Sequence, residues 1–483
     1  MIAHFVRSAL LVFALMGVAG WGRAPQAADA PAVVTVHPDR PGPTIPPDFL
    51  GLSCEKKILS RKCFVPENAV LLALLRNLGG GVLRVGANEV DSTFWSRSEA
   101  APLASMDENK YSEKPSTIGP ESLDKLYAFA KPSGWRVIHG VNLGANDPAM
   151  AADEAAYALE VGGPTVLAIE IGNEPNLYPK NAKRPGIRPE NYGYPEYRQE
   201  FAGYVDAIRK RSPSAPLTGP ATTRICKWFP DFVADFKPQM ALITSHLYLL
   251  SAKEADPQSP RFASVENLLT RTVEPEWLPQ LEASKAAGIP FRLGECNTAS
   301  GGGSRGVSDA FASALWGVDF LFDVAERGGA GVNLHGGFTP GNYSPIYYLK
   351  KEARYEPSPL YYGMLLFHEA ARGRLVQAEC RSEANVKAHA VMDDDGVVRL
   401  VLLNKDLTRS VVAKVAGVAK ATRAEVVRLA APSVSATEGV TLGGRAVARD
   451  GTWSPQPGEA VPCADGQCEV SLPAASAAML TIR

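Results

Sequence analysis

The sequence predicts an α/β fold: a closed barrel of eight parallel strands surrounded by helices, followed by a smaller C-terminal β-sandwich. Short apolar runs alternate with longer segments of helical spacing from about residue 50 to 370, and this alternation is typical of parallel sheets. Eight such runs fit a (β/α)8, or TIM, barrel. Beyond about residue 373 the helical spacing gives way to short alternating runs, which favour a β-sandwich.

The predicted barrel strands are short apolar runs that end near glycine or proline. In chain order they are Phe49–Ser53, Val82–Val85, Arg136–Val141, Val166–Ile171, Leu217–Pro220, Ala241–His246, Phe291–Gly294 and Gly331–Leu334. The helical segments between them include Glu67–Leu78, Pro120–Ala130, Tyr194–Arg211, Val265–Ala287 and Ser308–Glu326. A doubly wound open sheet is the alternative fold, but no Gly-x-Gly-x-x-Gly opens a helix after the first strand.

The C-terminal region has the alternating pattern of half-buried strands. Ala388–Val391 and Val397–Leu403 flank an Asp-Asp-Asp-Gly segment, which is a hairpin signal. Further strands are expected at Val411–Val418, Arg423–Leu429 and Glu469–Leu472. We predict a catalytic barrel over residues 49–371 and a sandwich over residues 372–483. Residues 31–48, a short strand and a proline-rich linker, are expected to join the sandwich.

The first 30 residues differ in character from the rest. An apolar run over residues 9–20 follows His4 and Arg7, and small residues come after it. This layout is typical of a secretory signal peptide, here cleaved between Ala24 and Ala30. A membrane anchor is the alternative, but the apolar run is shorter than the ~20 residues of a spanning helix. We therefore expect a secreted or periplasmic protein with no membrane span after signal removal.

Charge and cysteine content exclude several classes of protein. With 50 basic and 51 acidic residues among 483, the formal net charge is −1, which argues against a nucleic-acid partner. Seven cysteines are too few for a disulfide scaffold. In an exported protein, Cys54 with Cys63 and Cys463 with Cys468 are near enough in sequence to pair. No cysteine or histidine spacing resembles a zinc site, and we expect neither a metal nor a cofactor.

Two glutamates follow strands on opposite sides of the predicted barrel. Glu174 stands in an Asn-Glu-Pro-Asn motif after the fourth strand, and Glu295 in a Gly-Glu-Cys-Asn motif at the end of the seventh. Because TIM-barrel active sites lie at the C-terminal ends of the strands, both side chains should converge. A retaining glycosidase needs two carboxylates ~5–5.5 Å apart, one to protonate the leaving oxygen and one to attack the anomeric carbon. Asn173 can bind the sugar 2-hydroxyl.

These motifs resemble those of glycoside hydrolase family 79, the β-glucuronidase and heparanase family of clan A. The resemblance is carried by Ile-Gly-Asn-Glu-Pro-Asn at 171–176, by Gly-Glu-Cys-Asn at 294–297 leading into three glycines at 301–303, and by Gly-Asn-Tyr at 341–343. Residues 83–88 and 245–248 give weaker support. The Asn-Glu pair is shared across clan A, whereas the glycine run and Gly-Asn-Tyr are more specific.

The resemblance implies a role for each of these residues. It makes Glu174 the general acid/base and Glu295 the nucleophile. The substrate-binding residues that it implies are Asn88 and Asn173 at sugar hydroxyls, and the backbone amides of Gly301 and Gly302 with Tyr343 at the substrate carboxylate. His246 and Tyr248, at the end of the sixth strand, are expected to join the site. Many relatives have a tyrosine five residues after the nucleophile; Ser300 stands there in this chain, which predicts tolerance of an altered uronic acid.

The sequence thus predicts an exo-acting β-glucuronidase whose partner is a glucuronide-containing glycan or glycoconjugate. The alternative enzyme is an endo-acting, heparanase-like hydrolase. The near-zero net charge disfavours it, because a long sulfated substrate usually needs a basic cleft. A non-catalytic carbohydrate-binding protein is the alternative from another class, and the presence of both carboxylates argues against it.

Overall fold

The computed structural model describes residues 30–104, 106, 115–180, 187–224, 226–270, 277–336, 338, 341–418 and 421–483. The predicted signal peptide therefore lies outside the described residues, except for Ala30. In chain order the strands of the described part are β1 (Ala30–Thr44), β2 (Leu50–Glu55), β3 (Gly81–Gly86), β4 (Thr93–Trp95), β5 (Ser116–Ile118), β6 (Trp135–Val141), β7 (Val166–Ile171), β8 (Leu217–Thr223), β9 (Met240–Ser251), β10 (Phe291–Ser300), β11 (Gly331–His335), β12 (Ile346–Leu349), β13 (Arg354–Pro357), β14 (Arg374–Ser382), β15 (Val386–Met392), β16 (Val398–Asn404), β17 (Val411–Ala416), β18 (Arg423–Ala430), β19 (Thr441–Leu442), β20 (Glu459–Ala464), β21 (Gln467–Leu472) and β22 (Ser476–Ile482). The helices are α1 (Ala69–Asn77), α2 (Pro120–Ser133), α3 (Pro148–Gly162), α4 (Tyr194–Arg211), α5 (Phe229–Phe236), α6 (Val265–Thr270), α7 (Leu278–Ala287), α8 (Phe311–Glu326) and α9 (Pro359–Ala370).

Eight parallel strands close into a barrel in the order β2-β3-β6-β7-β8-β9-β10-β11, with β11 paired to β2. The predicted TIM barrel is confirmed. The outer helices bury one face each; in α4 the buried residues Tyr197, Phe201, Tyr204, Val205 and Ile208 recur at helical spacing. Within the described residues, no helix is both long and apolar enough to cross a membrane.

Two barrel strands run further than the sequence pattern predicted. β9 reaches Ser251 and β10 reaches Ser300, and the two ends pair with each other. The apolar runs end earlier because the upper parts of both strands carry the polar side chains of the site. The helix predicted over Val265–Ala287 is described as two helices, α6 and α7, with residues 271–276 outside the described part.

The C-terminal domain is one ten-stranded sheet that closes on itself, because β18 pairs with β22 as well as with β20. The predicted sandwich is confirmed. β1 lies in this sheet, antiparallel to β14 and parallel to β17, so the N-terminal strand belongs to the C-terminal domain. The sequence pattern missed β22, since its residues are buried almost continuously instead of in alternation.

The barrel and the sandwich share a buried boundary at α8. This helix begins without a side-chain cap, and its first amides, those of Phe311 and Ala312, donate to the carbonyls of Ala436 and Val434 in the sandwich. Free N–H groups at a helix start need such partners. Further along α8, Asp319 forms an ion-pair cluster with three basic groups of the sandwich, which are Lys387, His389 and Lys405.

One of the two suggested cysteine pairs is a disulfide. Cys463 and Cys468 are bonded across the β20–β21 hairpin, where they are direct cross-strand partners. The pairing of Cys54 with Cys63 is wrong: both are buried free thiols, and Cys63 instead receives a hydrogen bond from the Tyr355 hydroxyl. Sequence spacing could not separate the two cases, because a disulfide needs side chains that face each other about 3.8 Å apart at Cβ.

Candidate active site

The C-terminal ends of the barrel strands surround a cavity of about 600 Å³. Its lining residues are Glu55, Asn88, Glu174, Leu177, Thr223, Arg224, His246, Tyr248, Lys253, Arg261, Glu295, Ser300, Gly301, Gly302, His335 and Tyr343. The structure thus brings both predicted catalytic glutamates and six of the predicted binding residues to one cavity. Asn173 lies just beneath, buried, with its side-chain oxygen accepting a hydrogen bond from Arg84.

The two glutamates face each other across the cavity. Glu174 follows β7 and Glu295 lies in β10, three strands away around the barrel. A carboxylate oxygen of each, and a ring nitrogen of His246, lie within 4.8 Å of one another. This separation is compatible with the ~5–5.5 Å between the carboxyl groups of retaining glycosidases, and it leaves less room than an inverting mechanism needs for its water.

The backbone aims Glu174 into the cavity. Its φ of 45° lies in the left-handed region, where a residue with a side chain is held only by surrounding structure. The Glu174 amide donates to the carbonyl of Ala221 at 2.9 Å, and its carbonyl accepts from Leu177 in the short helix that begins at Pro175. His246 Nδ1 lies 2.9 Å from Glu174 Oε1. These contacts fix the direction of the carboxylate.

Glu295 lies in a buried setting that favours its ionised form. Tyr248 donates to Oε1 at 2.8 Å, and Arg84 Nη1 donates to Oε2 at 2.8 Å. Burial alone would raise the pKa of Glu295, but the charges of His335, His246 and Arg84 and the Tyr248 hydrogen bond outweigh it and lower the pKa below its usual value. An ionised carboxylate is what a nucleophile requires.

Arg84 connects several buried groups of the site and was missed as a site residue by the sequence prediction. Its side chain is completely buried in β3. Besides Glu295 it donates to Glu170 Oε2 at 2.6 Å, to Asn173 Oδ1 at 2.8 Å and to Ser53 Oγ at 3.2 Å. With Oδ1 of Asn173 accepting from Arg84, the Asn173 amide N–H groups remain as donors. A basic residue inside an apolar strand pattern was the signal that could have indicated it.

His335 and Asn297 are two further residues that the prediction did not place in the site. His335 lines the cavity, with Nδ1 3.9 Å from Glu295 Oε2 and 3.1 Å from Ser53 Oγ. Burial lowers the pKa of His335, although the charge of Glu295 acts to raise it. Asn297 Nδ2 donates to the carbonyls of His335 and Tyr343, at 2.6 and 2.9 Å. It ties β10 to the end of β11 and to the loop of Tyr343.

The glycine run and Tyr343 form one wall of the cavity. Gly301 and Gly302 have φ values of 84° and 94°, a conformation that residues with side chains rarely adopt, and Tyr343 packs against Gly303. Burial first, and then the charge of Glu295, raise the pKa of Tyr343, so its hydroxyl remains a donor. The Ser300 hydroxyl contacts the Leu250 carbonyl at 3.4 Å.

Three basic residues also line the cavity, and the sequence prediction included none of them. Arg224 follows β8, and Lys253 and Arg261 belong to the loop after β9. Lys253 runs beside Gly301, where an added Cβ would lie 3.5 Å from its Cγ. Lys253 thus lies beside the backbone that the sequence prediction placed at the substrate carboxylate. Loop cations of this kind are not distinguishable in sequence from solvated surface charges.

Glu174, His246 and Glu295 also have the spacing of a metal cluster. The Arg84 guanidinium, 2.8 Å from Glu295, already faces this carboxylate with a positive charge. A cation bound between the two glutamates would be repelled by it. The arrangement fits a pair of catalytic carboxylates with a supporting imidazole better than a metal site.

The C-terminal domain is similar to a known domain family. Residues 388–479 match the glycosyl hydrolase family 79 C-terminal β domain. Among curated proteins, the chain is similar to baicalin-β-D-glucuronidase of Scutellaria baicalensis, with 25% identity over 185 residues, 36% of this chain. The chain spans about a third of the length of that relative, since the match covers 33% of it.

Solved structures agree on the fold over nearly the whole chain. A 4-O-α-L-rhamnosyl-β-D-glucuronidase from Fusarium oxysporum 12S superposes with a TM-score of 0.75 at 18% identity, covering 92% of this chain and 100% of that one. A family 51 α-L-arabinofuranosidase from Bifidobacterium longum gives 0.68 at 14% identity, over 94% and 100%. The fold over nearly the whole chain is thus that of TIM-barrel glycoside hydrolases. The family 79 match of residues 388–479 and the similarity to baicalin-β-D-glucuronidase agree with the family that the motifs resemble.

Proposed function

We propose that this chain is a retaining glycoside hydrolase that cleaves β-glucuronides, with Glu295 as the nucleophile and Glu174 as the acid/base. The observation that carries the proposal is the pair of carboxylates within 4.8 Å across one cavity, in different surroundings. Glu295 is held ionised among Arg84, Tyr248 and two imidazoles. Glu174 instead contacts the imidazole of His246, with Nδ1 2.9 Å from Oε1.

The reaction follows from this geometry in two steps. In the first, a Glu295 oxygen bonds to the anomeric carbon while the glycosidic bond breaks and Glu174 protonates the leaving oxygen. In the second, Glu174 takes a proton from water, the water oxygen bonds to the anomeric carbon, and Glu295 leaves as a carboxylate. Each step inverts the anomeric carbon, so the product retains the β configuration.

The cavity wall formed by Gly301, Gly302 and Tyr343 supports a uronic acid as the substrate sugar. The Gly301–Gly302 backbone and the Tyr343 hydroxyl can donate to an anion, and the Lys253 side chain runs beside them. Charge-assisted hydrogen bonds are worth ~1.5–3 kcal/mol each. The plant relative in the comparison is a β-glucuronidase by name, which agrees with this assignment.

Arg224 and Arg261 favour a second candidate, endo-acting cleavage of an acidic polysaccharide. Both line the same cavity, and Arg224 follows the strand next to Glu174, on the side where the leaving group must sit. A local basic surface can bind a polyanion even when the net charge of the chain is −1. The exo-acting enzyme remains our proposal, and we propose that Arg224 and Arg261 would bind an acidic aglycone.

The experiment is a panel of aryl β-glycosides, assayed beside a glucuronate-containing polysaccharide. We expect aryl β-glucuronide to be cleaved, the corresponding glucoside and galactoside to be poor substrates, and the polysaccharide to release only monosaccharide. Internal cleavage of the polysaccharide would support the endo-acting candidate. Binding of glucuronide without any turnover would support a non-catalytic carbohydrate-binding protein.

We also propose that the protein is exported, with removal of its N-terminus between Ala24 and Ala30. The basic and apolar pattern of residues 4–20 supports this. Ala30 already pairs with Val411 in β1, so a cut before it leaves the sandwich sheet intact. Intact-mass analysis of the secreted protein tests the proposal, and a mature chain that still begins at Met1 contradicts it.

A further inference from the structure

Beneath the cavity, one buried arginine is shared by two buried carboxylates. Arg84 donates through Nε to Glu170 at 2.6 Å and through Nη1 to Glu295 at 2.8 Å. Arg84 and Glu170 are completely buried, and the Glu295 side chain is 6% exposed. In such surroundings water screens little, so each carboxylate changes how strongly the other feels the guanidinium.

Glu170 has no access to the cavity and does not touch the substrate space. It is the next-to-last residue of β7, four residues before Glu174, and its other oxygen accepts from Thr244 Oγ1 at 2.8 Å. A buried charge is costly unless it is paired. An apolar residue would cost less free energy at this strand position. The placement of Glu170 against Arg84 therefore indicates a role in the site.

We propose that Glu170 is a positioning residue that takes up part of the charge of Arg84, and so leaves Glu295 basic enough to attack the sugar. The inference rests on the proposed function of Glu295. If Glu170 is neutral, it no longer compensates the positive charge of Arg84, and Glu295 experiences that charge in full. Glu295 then becomes a poorer nucleophile in the first step and a better leaving group in the second, because both properties follow its basicity.

Other charged and polar groups also face Glu295. From the neighbouring elements they are Arg84, Glu174, His246, Tyr248, His335 and Tyr343. All of them except Arg84 line the cavity and can contact the sugar, so their substitution would mix binding with charge. Arg84 bonds directly to Glu295, and its substitution would remove that contact. Glu170 acts only through Arg84, which makes its effect separable.

Glu170→Gln removes the charge with little change in shape. The Gln oxygen can still accept from Arg84 Nε, and its amide can donate to Thr244 Oγ1. Thr244→Val is the matched control, since it removes one hydrogen bond from Glu170 and keeps its charge. The probe is an activated 2-deoxy-2-fluoro-β-glucuronide, which forms a slowly hydrolysed glycosyl-enzyme, so that trapping and reactivation rates are measured separately.

We expect Glu170→Gln to slow trapping by about fivefold or more and to speed reactivation by about fivefold. A merely structural defect slows both steps, and Thr244→Val should not move the two rates in opposite directions. If Glu170→Gln does not fold, Glu170→Asp withdraws the carboxylate from Arg84 and should give the same two signs, with smaller changes.

Two negative results can be told apart. A wild type that the probe labels at Glu295, with variants whose two rates fall together or stay unchanged, overturns the role of Glu170 alone. A wild type that the probe does not label, and that turns over no aryl glucuronide, overturns the proposed function and this inference with it.

Discussion

Glu174 and Glu295 are the same side chain in two different surroundings. Glu295 is fixed by Arg84 and Tyr248, whereas Glu174 is held by a left-handed backbone and by His246. The first setting stabilises a carboxylate, as the proposed nucleophile requires. The second keeps a carboxyl group near the cavity, where it can exchange protons with the leaving oxygen and with water.

Glu295→Gln should lower turnover by roughly 10³-fold or more, about 4 kcal/mol of barrier, because no glycosyl-enzyme can form. The Gln oxygen can still accept from Tyr248, whereas the amide nitrogen cannot accept from Arg84. An epoxide or aziridine mimic of glucuronide, followed by peptide mapping, should label Glu295 in the wild type. Label on any other residue would refute the assignment.

Glu174→Ala should distinguish substrates by their leaving groups. Poor leaving groups need the proton and should lose roughly 100-fold or more, while activated aryl groups should lose little in the first step. Azide should then restore turnover by attacking the glycosyl-enzyme in place of activated water, and give a β-glycosyl azide. Equal losses with all substrates and no azide product would contradict the role.

Tyr343→Phe should reduce selectivity for the carboxylate. It removes one donor without changing the ring, and we expect about a tenfold lower kcat/KM for the glucuronide with the glucoside almost unchanged. Tyr347→Phe is the matched control, because Tyr347 lines a different cavity. The measurement is the glucuronide-to-glucoside ratio; a ratio that Tyr343→Phe leaves unchanged would mean that this wall does not bind the uronate.

At the scale of elements, the site depends on how strand ends are joined. β9 and β10 continue as a pair above the barrel as far as Ser251 and Ser300, which brings Lys253 beside Gly301. Asn297 then fastens β10 to two neighbouring segments through the carbonyls of His335 and Tyr343. One buried amide thus positions two cavity residues that are distant from it in sequence.

Asn297→Ala should leave two carbonyls without their donor and cost about 1–3 kcal/mol of stability. Because the loop of Tyr343 is released, kcat/KM for the glucuronide should fall more than that for the glucoside. Asn342→Ala on the same loop is the control. Asn342 is exposed, and its side chain donates to the Gly303 carbonyl at 3.3 Å, so its change should cost less than about 0.5 kcal/mol. The measurements are thermal unfolding and kcat/KM for the glucuronide and the glucoside. Equal effects of Asn297→Ala and Asn342→Ala would contradict the prediction.

At the scale of the whole molecule, the barrel and the sandwich are held together by both apolar and charged contacts. Asp319 of α8 lies 2.6 Å from Lys405 Nζ, 3.2 Å from His389 Nε2 and 3.3 Å from Lys387 Nζ. His389 Nδ1 also meets Glu326 at 2.7 Å. Burial alone would lower the pKa of His389, but the two carboxylates outweigh it and raise the pKa to about 9.

This shift predicts a pH-dependent domain boundary. Because the folded pKa of His389 lies above its unfolded value of about 6.5, its stabilisation is fully present below about pH 6.5 and is lost as pH rises through about 9. The shift corresponds to on the order of 3 kcal/mol at most. Chemical unfolding at pH 6 and pH 9.5 should show this loss in the wild type and a smaller one in His389→Gln.

The control for this prediction is His37→Gln. His37 lies in β1, on the sandwich alone, and its side chain is 22% exposed beside Glu379. We expect its substitution to leave the difference between pH 6 and pH 9.5 almost as in the wild type. A difference that His389→Gln does not reduce would show that the interface cluster is not responsible.

The barrel and its catalytic ends could be predicted from the sequence because they depend on local order. Local sequence patterns indicate the periods of the strands and helices and the number of strands. They also place Glu174 and Glu295 directly after apolar runs. The motifs at 171–176, 294–297 and 341–343 likewise pointed to a glucuronide-cleaving family before any contact was known.

Other features were decided only by the tertiary structure, since they join residues that are far apart in sequence. Arg84 and Glu170 looked like irregular charges in buried strands until the barrel placed them beneath Glu295. Cys463 could pair with Cys468 and Cys54 could not pair with Cys63, because only the hairpin brings two sulfurs face to face. A local pattern determines which residues are buried and in which element they lie. Tertiary packing determines which groups contact them and thereby stabilise one charge state.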